Sequence, residues 1–195
     1  MKNLIFCFFI LFFFLFIKGN AQCNLEKFTL IRTDTIASEN YTLVAEDGII
    51  KKLDPNKYIV SLTYHENSYF ATFSIKGKKG WNAIDFNENI LFEVYNIISN
   101  EPSPDYLIEN RIRIIGKNKK IGFANDCGKI IIKPIFDYAT SFNNGYAIVG
   151  KKCPDSSNKC NQYGYINKNG KIIKIGNYTF DQIQKEINWK DINQD

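Results

Sequence analysis

Histidine is almost missing from this chain: among 195 residues only His65 carries an imidazole, in Thr63-Tyr64-His65-Glu66-Asn67 ahead of an expected turn. That excludes the clustered histidine ligands of most zinc sites, and no CxxC pair exists to replace them. A Ser-His-Asp or Cys-His arrangement would have to recruit this one residue, without a Gly-x-Ser-x-Gly elbow to present a nucleophile. His65 therefore reads as a surface side chain, and neither a metal nor another cofactor is expected. A polybasic block is missing too. The 25 lysines and arginines are interspersed with 20 acids, whereas a nucleic-acid footprint needs its basic residues clustered on one face, so nucleic acid is not an expected partner.

The long apolar run that is present lies at the start. Lys2 and Lys18 flank residues 4–17, and Gly19-Asn20-Ala21 supplies small residues where a signal peptidase cuts. The run is shorter than the ~20 residues needed to span hydrocarbon. Residues 1–21 thus read as a signal peptide rather than an uncleaved anchor, with export to the periplasm, cell envelope or medium and no membrane span after cleavage. A lipoprotein reading through Cys23 is weaker, because Gln22 precedes it. Loss of Lys2 and Lys18, with no acid lost, takes the formal charge from +5 to +3.

What the chain has in abundance is one phrase, aromatic or apolar then Gly then aromatic. It is clearest in Tyr163-Gly164-Tyr165-Ile166 and Ile121-Gly122-Phe123-Ala124, each followed by a Gly turn and an isoleucine run. Trp81 aligns with Ile121 and Tyr163, and the turn column holds Glu88, Gly128 and Gly170; about 40 residues before Trp81 stand Tyr41 and Gly48. Units therefore begin near Tyr41, Trp81, Ile121 and Tyr163, spanning residues 41–80, 81–120, 121–162 and 163–178 of a repeat domain over 22–178. Modules of this length bury their apolar faces against stacked neighbours.

Within a unit, a short strand turns at a pair such as Asn169-Gly170, whose central residues are expected at positive φ, and returns through a run such as Lys171-Ile172-Ile173-Lys174-Ile175. Third strands follow at 145–149, 111–115 and 69–73; the alternation in Arg111-Ile112-Arg113-Ile114-Ile115 predicts a half-buried edge. Residues 99–105, with Glu101-Pro102-Ser103-Pro104, predict a loop. Thr179 and Gln182 form a capping-box pattern before Phe180, Ile183 and Ile187, which predicts a helix over 180–189 covering the last repeat, ahead of a frayed tail at 191–195. The fold class is all-β: a tandem array of three-stranded antiparallel meanders with a short C-terminal helix.

The stretch from Ile121 to Val149 resembles the WG β-repeat. Gly122-Phe123 stands at its Gly-Phe position, Gly128 at the turn, Pro134-Ile135-Phe136-Asp137-Tyr138-Ala139 at the Pro-aromatic-Asp segment, and Phe142-Asn143-Asn144-Gly145-Tyr146-Ala147-Ile148-Val149 at the close. Ile121 and Tyr163 replace the signature Trp, while Trp81 keeps it but is followed by Asn82. The resemblance implies an architecture, with Gly164 and Tyr165 repeating the pattern, and carries no catalytic residue.

Export leaves Cys23, Cys127, Cys153 and Cys160, an even count in an oxidising compartment. Cys153 and Cys160 bracket a turn-rich insert that a bridge would staple. Elimination then leaves Cys23 to pair with Cys127, although Cys127 adjoins Gly128 at an expected exposed hairpin tip. Among acids, Asp47, Asp85 and Asp126 fall at or beside turns, Asp137 is expected to accept backbone N–H bonds, and no rule brings Asp105 or Glu109 to a second carboxylate. Asp155-Ser156-Ser157-Asn158 lacks the ladder of a calcium loop. The Lys/Gly turns at 76–80 and 116–120 recur at one point of successive units, as solubilising turns or contacts to anionic groups. Asn40 and Asn177 begin glycosylation sequons. The expected function is a non-enzymatic, exported binding or scaffold surface for a protein or cell-envelope polymer. The alternatives are a carbohydrate-binding module, which requires Tyr41, Trp81 and Tyr163 exposed in a row, and, further off, an envelope hydrolase.

Overall fold

The computed structural model describes residues 23–34, 39–61, 67–97, 103–152 and 161–190. The expected signal peptide, His65, the Cys153 to Cys160 insert and the tail at 191–195 lie outside them. Sixteen strands and one helix fill the described residues, and four of the hairpins repeat one another. They are β2 (Glu39–Ala45) with β3 (Ile50–Lys52), β6 (Trp81–Ile84) with β7 (Ile90–Val94), β11 (Ile121–Asn125) with β12 (Ile130–Phe136), and β15 (Asn161–Asn167) with β16 (Ile172–Gly176).

Each hairpin closes the same way. Ala45, Asp85, Asn125 and Asn167 donate their N–H to Ile49, Asn89, Lys129 and Lys171 at 2.9, 3.1, 2.9 and 3.1 Å. Gly48, Glu88, Gly128 and Gly170 donate back, and all four have positive φ, from 62° to 88°. Asn169 does not share that conformation, so the expected pair of positive-φ residues is corrected to one. The loop is a three-residue turn ending in a left-handed bulge residue, a geometry that Glu88 tolerates. The double positive-φ turn occurs elsewhere, at Glu109-Asn110 and Asn144-Gly145.

The third strands are β5 (Ala71–Ile75), β10 (Arg111–Ile115) and β14 (Tyr146–Lys152), with β1 (Phe28–Asp34) in the same role before the first hairpin. Each pairs antiparallel with the first strand of the following hairpin: β1 with β2, β5 with β6, β10 with β11 and β14 with β15. The hydrogen-bonded meander is thus assembled from two sequence units. A short β4 (Tyr58–Ser61) extends the second meander, and the order β12-β11-β10-β7-β6-β5-β4 joins the second and third into one sheet. Arg111 to Ile115 is therefore not an edge, since β10 is flanked by β11 and β7. Its alternation of half-buried and buried residues is as expected; period 2 reports faces and is silent on neighbours. The loop expected at 99–105 is also corrected in part. β8 (Asn96–Ile97) pairs with β9 (Ser103–Pro104), where Pro104 sits on a two-stranded ladder that does not need its missing N–H.

Apolar clusters fill the spaces between consecutive units. Tyr41, Leu43, Tyr58, Phe73 and Ile84 join the first to the second; Trp81, Val94, Ile112, Ile114 and Ala124 join the second to the third; Ile121, Phe123, Phe136, Val149 and Ile166 join the third to the fourth. Among the described residues no such cluster joins the first unit to the last. The C-terminal end of the stack is covered by α1 (Phe180–Glu186), which starts with the expected reciprocal capping box of Thr179 and Gln182 and ends three residues earlier than expected. Asn188 takes a positive φ and turns the chain back, so that Trp189 packs with Ile148 and Ile183 and donates to the Ser141 carbonyl at 3.1 Å.

The glycine after the aromatic has a steric reason. A Cβ on Gly164 would lie 2.6 Å from the Ile175 Cα and closer still to the Lys174 carbonyl, and one on Gly122 would lie 2.6 Å from the Pro134 nitrogen. The return strand closes on this position, next to the register shift that both hairpins carry. Asn82 meets the same column differently: it is buried, and its Nδ2 donates to the Lys79 and Gly80 carbonyls at 3.3 Å. Gly164→Ala is expected to lower unfolding free energy by about 3 kcal/mol through backbone displacement, read as a lower urea midpoint with an unchanged m-value.

Candidate functional site

The acids are occupied by the fold. Asp85 accepts the Asn89 N–H at 2.8 Å and its Nδ2 at 2.9 Å, Asp47 accepts the Ile49 N–H at 3.0 Å, and Asp126 accepts that of Cys127 at 3.1 Å. Glu109 holds the Gly145 N–H at 3.0 Å and Lys168 at 2.9 Å. Burial acts against the Glu109 charge, but these partners outweigh it and depress its pKa. Asp105 is buried beside Arg113, which grips it through Nε at 3.0 Å and Nη2 at 2.6 Å. The same guanidinium donates to the Ala139 carbonyl at 3.1 Å and lies 4.5 Å from the centre of the Tyr95 ring. Burial opposes the Arg113 charge, yet the Asp105 fork raises its pKa overall. Through Ala139 the Arg113 side chain reaches from the sheet of β10 to the first strand of the last sheet, and alternation in β10 carries no sign of it.

The signature aromatics lie inside the stack. Tyr41 is 2% exposed and Trp81 9%, so the row required by the carbohydrate-module reading is not available at that column. Ile121, Phe123 and Gly122 are likewise buried, as is Gly164, with Tyr163 and Tyr165 half-buried against the cap helix. What each unit exposes instead is an isoleucine two residues past the turn: Ile50, Ile90, Ile130 and Ile172, each paired across its hairpin with the equivalent residue, Val44, Ile84, Ala124 and Ile166.

Among the described residues two clefts bear on the site. One, of about 380 Å³, surrounds a disulfide between Cys23 and Cys127, whose Cα atoms are 5.2 Å apart, with Leu25 and Leu91 beside it. The tip at Cys127 is half-buried rather than exposed, because Gly128 leans on Leu91 and Leu25. The other cleft, of about 200 Å³, is lined by Asp137, Tyr138, Gly150, Lys151, Lys152 and Tyr163. It is built by register. Tyr138, on the short β13 (Tyr138–Ala139), pairs with Gly150 of β14, which pairs on its other side with Tyr163 of β15. Residues directly paired across a sheet share a face, so two rings flank a bare glycine, with centroids 5.7 Å apart at 80°. Phe180 of α1 supports both, at 5.9 and 6.0 Å. Asp137 accepts the Lys152 N–H at 3.0 Å and is paired with Lys120; burial works against its charge, and these partners hold its pKa below the ordinary value. Neither Tyr138 nor Gly150 stood out from the repeat pattern, though a lone glycine in an apolar strand marks a close approach.

Repeated hairpins, shared strands and a helical end cap define a tandem β-repeat protein. The WG containing repeat model matches residues 121–152 and 163–174, and the chain carries repeats of that family. The hairpins at Tyr41 and Trp81 lie outside the matched residues and have the same turn. No curated protein matches the chain.

The disulfide closes 104 residues of chain. In the chain-entropy model such a loop is worth roughly 4–5 kcal/mol. Replacing both cysteines (Cys23→Ala with Cys127→Ala) is therefore expected to lower unfolding free energy by about 4 kcal/mol in denaturant titration, against no loss if the bridge is incidental.

Proposed function

We propose that this WG-repeat protein is a non-catalytic recognition or scaffold surface, exported through residues 1–21 and presented to another protein or a cell-envelope polymer. The observation that carries the reading is the exposed isoleucine repeated at one place in all four hairpins. Apolar side chains left on a surface by repetition make a row whose spacing is set by the stack, and extended rows of this kind are what repeat arrays use for binding. The engagement of each described acid named above by turns, lysines or Arg113 supports a role without catalysis. The Cys23 to Cys127 bridge supports an oxidising compartment, and among the described residues no helix is long and apolar enough to cross a membrane.

The test is capture from the envelope fraction of the chain's own host, using the exported protein and a variant carrying Ile90→Ser with Ile130→Ser. A defined partner retained by the first and lost by the second is expected. Equal capture by both, or bare beads with the native protein, would contradict the reading.

A further inference from the structure

The cleft beside the cap helix goes beyond the isoleucine row, because its lining has the chemistry of a small-ligand site. Its floor is Gly150, where a Cβ would stand 3.2 Å from the Tyr163 ring and 3.3 Å from the Tyr138 Cβ. In the preceding units the place opposite the signature residue is held by Ile115, facing Ile121, and by Ser74, facing Trp81. Only in the last meander is it a glycine, and only there do the flanking rings stay partly open. Trp81 and Ile121 are covered by the following unit, whereas Tyr163 packs on Tyr138 and on the Phe180 ring of α1.

The rim is cationic. Lys152 is two residues from Gly150, shares its face by strand period and lines the cleft, whereas the same period sends the Lys151 side chain to the other face. Neither forms an ion pair among the described residues. Among the described residues the one acid in the lining, Asp137, is already matched by Lys120 and the Lys152 N–H. Lys117 and Lys119, exposed on the turn that carries Lys120, add to the same field. An anion entering the cleft meets a rim on which lysines outnumber the one described acid.

The walls favour a ring. Tyr138 and Tyr163 stand nearly perpendicular and form a corner, against which C–H groups of a saturated ring stack on a π-face while the Tyr163 hydroxyl exchanges hydrogen bonds with ring substituents. The volume of about 200 Å³ is below the ~300–1,000 Å³ of drug-sized sites, which suits one sugar residue of a chain. An extended peptide would gain its affinity from a free strand edge, and β14 has none at Gly150, being paired on both sides by β13 and β15.

We propose that this cleft binds an acidic saccharide, with one sugar ring against Tyr138 and Tyr163 and its carboxylate on Lys152. The test uses the purified full chain and three probes in NMR titration: trigalacturonate, a neutral galactose trisaccharide and triglutamate. Trigalacturonate is expected to saturate, with shifts centred on Gly150, and to bind at least about tenfold more tightly than either other probe, the factor corresponding to one charge-assisted contact. Tyr138→Ala is expected to weaken it about tenfold. Lys152→Gln, at an exposed position outside the core, should do the same if the tyrosine variant loses its fold. Absence of saturation, equal binding of the neutral sugar, or triglutamate binding as tightly would each overturn the assignment, the last in favour of an acidic peptide. Partner capture through the isoleucine row does not require this cleft, so the two readings fail separately.

Discussion

The third strand of each sequence unit completes its hydrogen bonding on the first strand of the next hairpin. Everything else in the architecture depends on that sharing. Successive hairpins are held at one offset, which brings the aromatic column under the following unit and lets one apolar cluster form per junction. A single unit would leave an unpaired strand and an uncovered face, the two conditions under which a small β-module does not persist alone.

The signature follows from the same packing. The aromatic or apolar residue fills the junction, and the glycine after it makes room for the return strand that comes across. Where the glycine is lost, Asn82 survives by folding its amide onto the backbone before it. These are requirements of the fold. Distinctive chemistry arises where repetition stops: at the C-terminal end a helix takes the place of a further unit, covers Tyr163 from one side, and leaves the ring partly open beside Tyr138 and the bare Gly150. The cleft is thus a product of how the array terminates.

Much of this was legible in the sequence, because turns and strand periods are local. The turn column was readable even at Gly48, and Glu88 could be placed in it although it is not a glycine. The capping box of Thr179 and Gln182 was equally plain. Turn type was misread at Asn169-Gly170, since the dipeptide does not reveal that a bulge removes the need for a second positive φ. Arg111 to Ile115 carries the pattern of an edge because mixed charge and apolar residues mark a half-buried strand without saying what lies on either side. The strand that makes β10 internal, β7, reaches it across the intervening β8 and β9, and the Lys168 carbonyl that Arg111 holds lies 57 residues further on. For the same reason the cleft was invisible: Tyr138, Gly150 and Tyr163 meet only through the register of three strands.

The central claim is that the signature column holds neighbouring units together. The direct measurement is the unfolding free energy of Trp81→Ala, which removes the residue joining the second unit to the third. A loss of about 3–5 kcal/mol in a single cooperative transition is predicted for truncating a buried aromatic. A change within about 0.5 kcal/mol, the range of ordinary surface substitutions, would contradict the account.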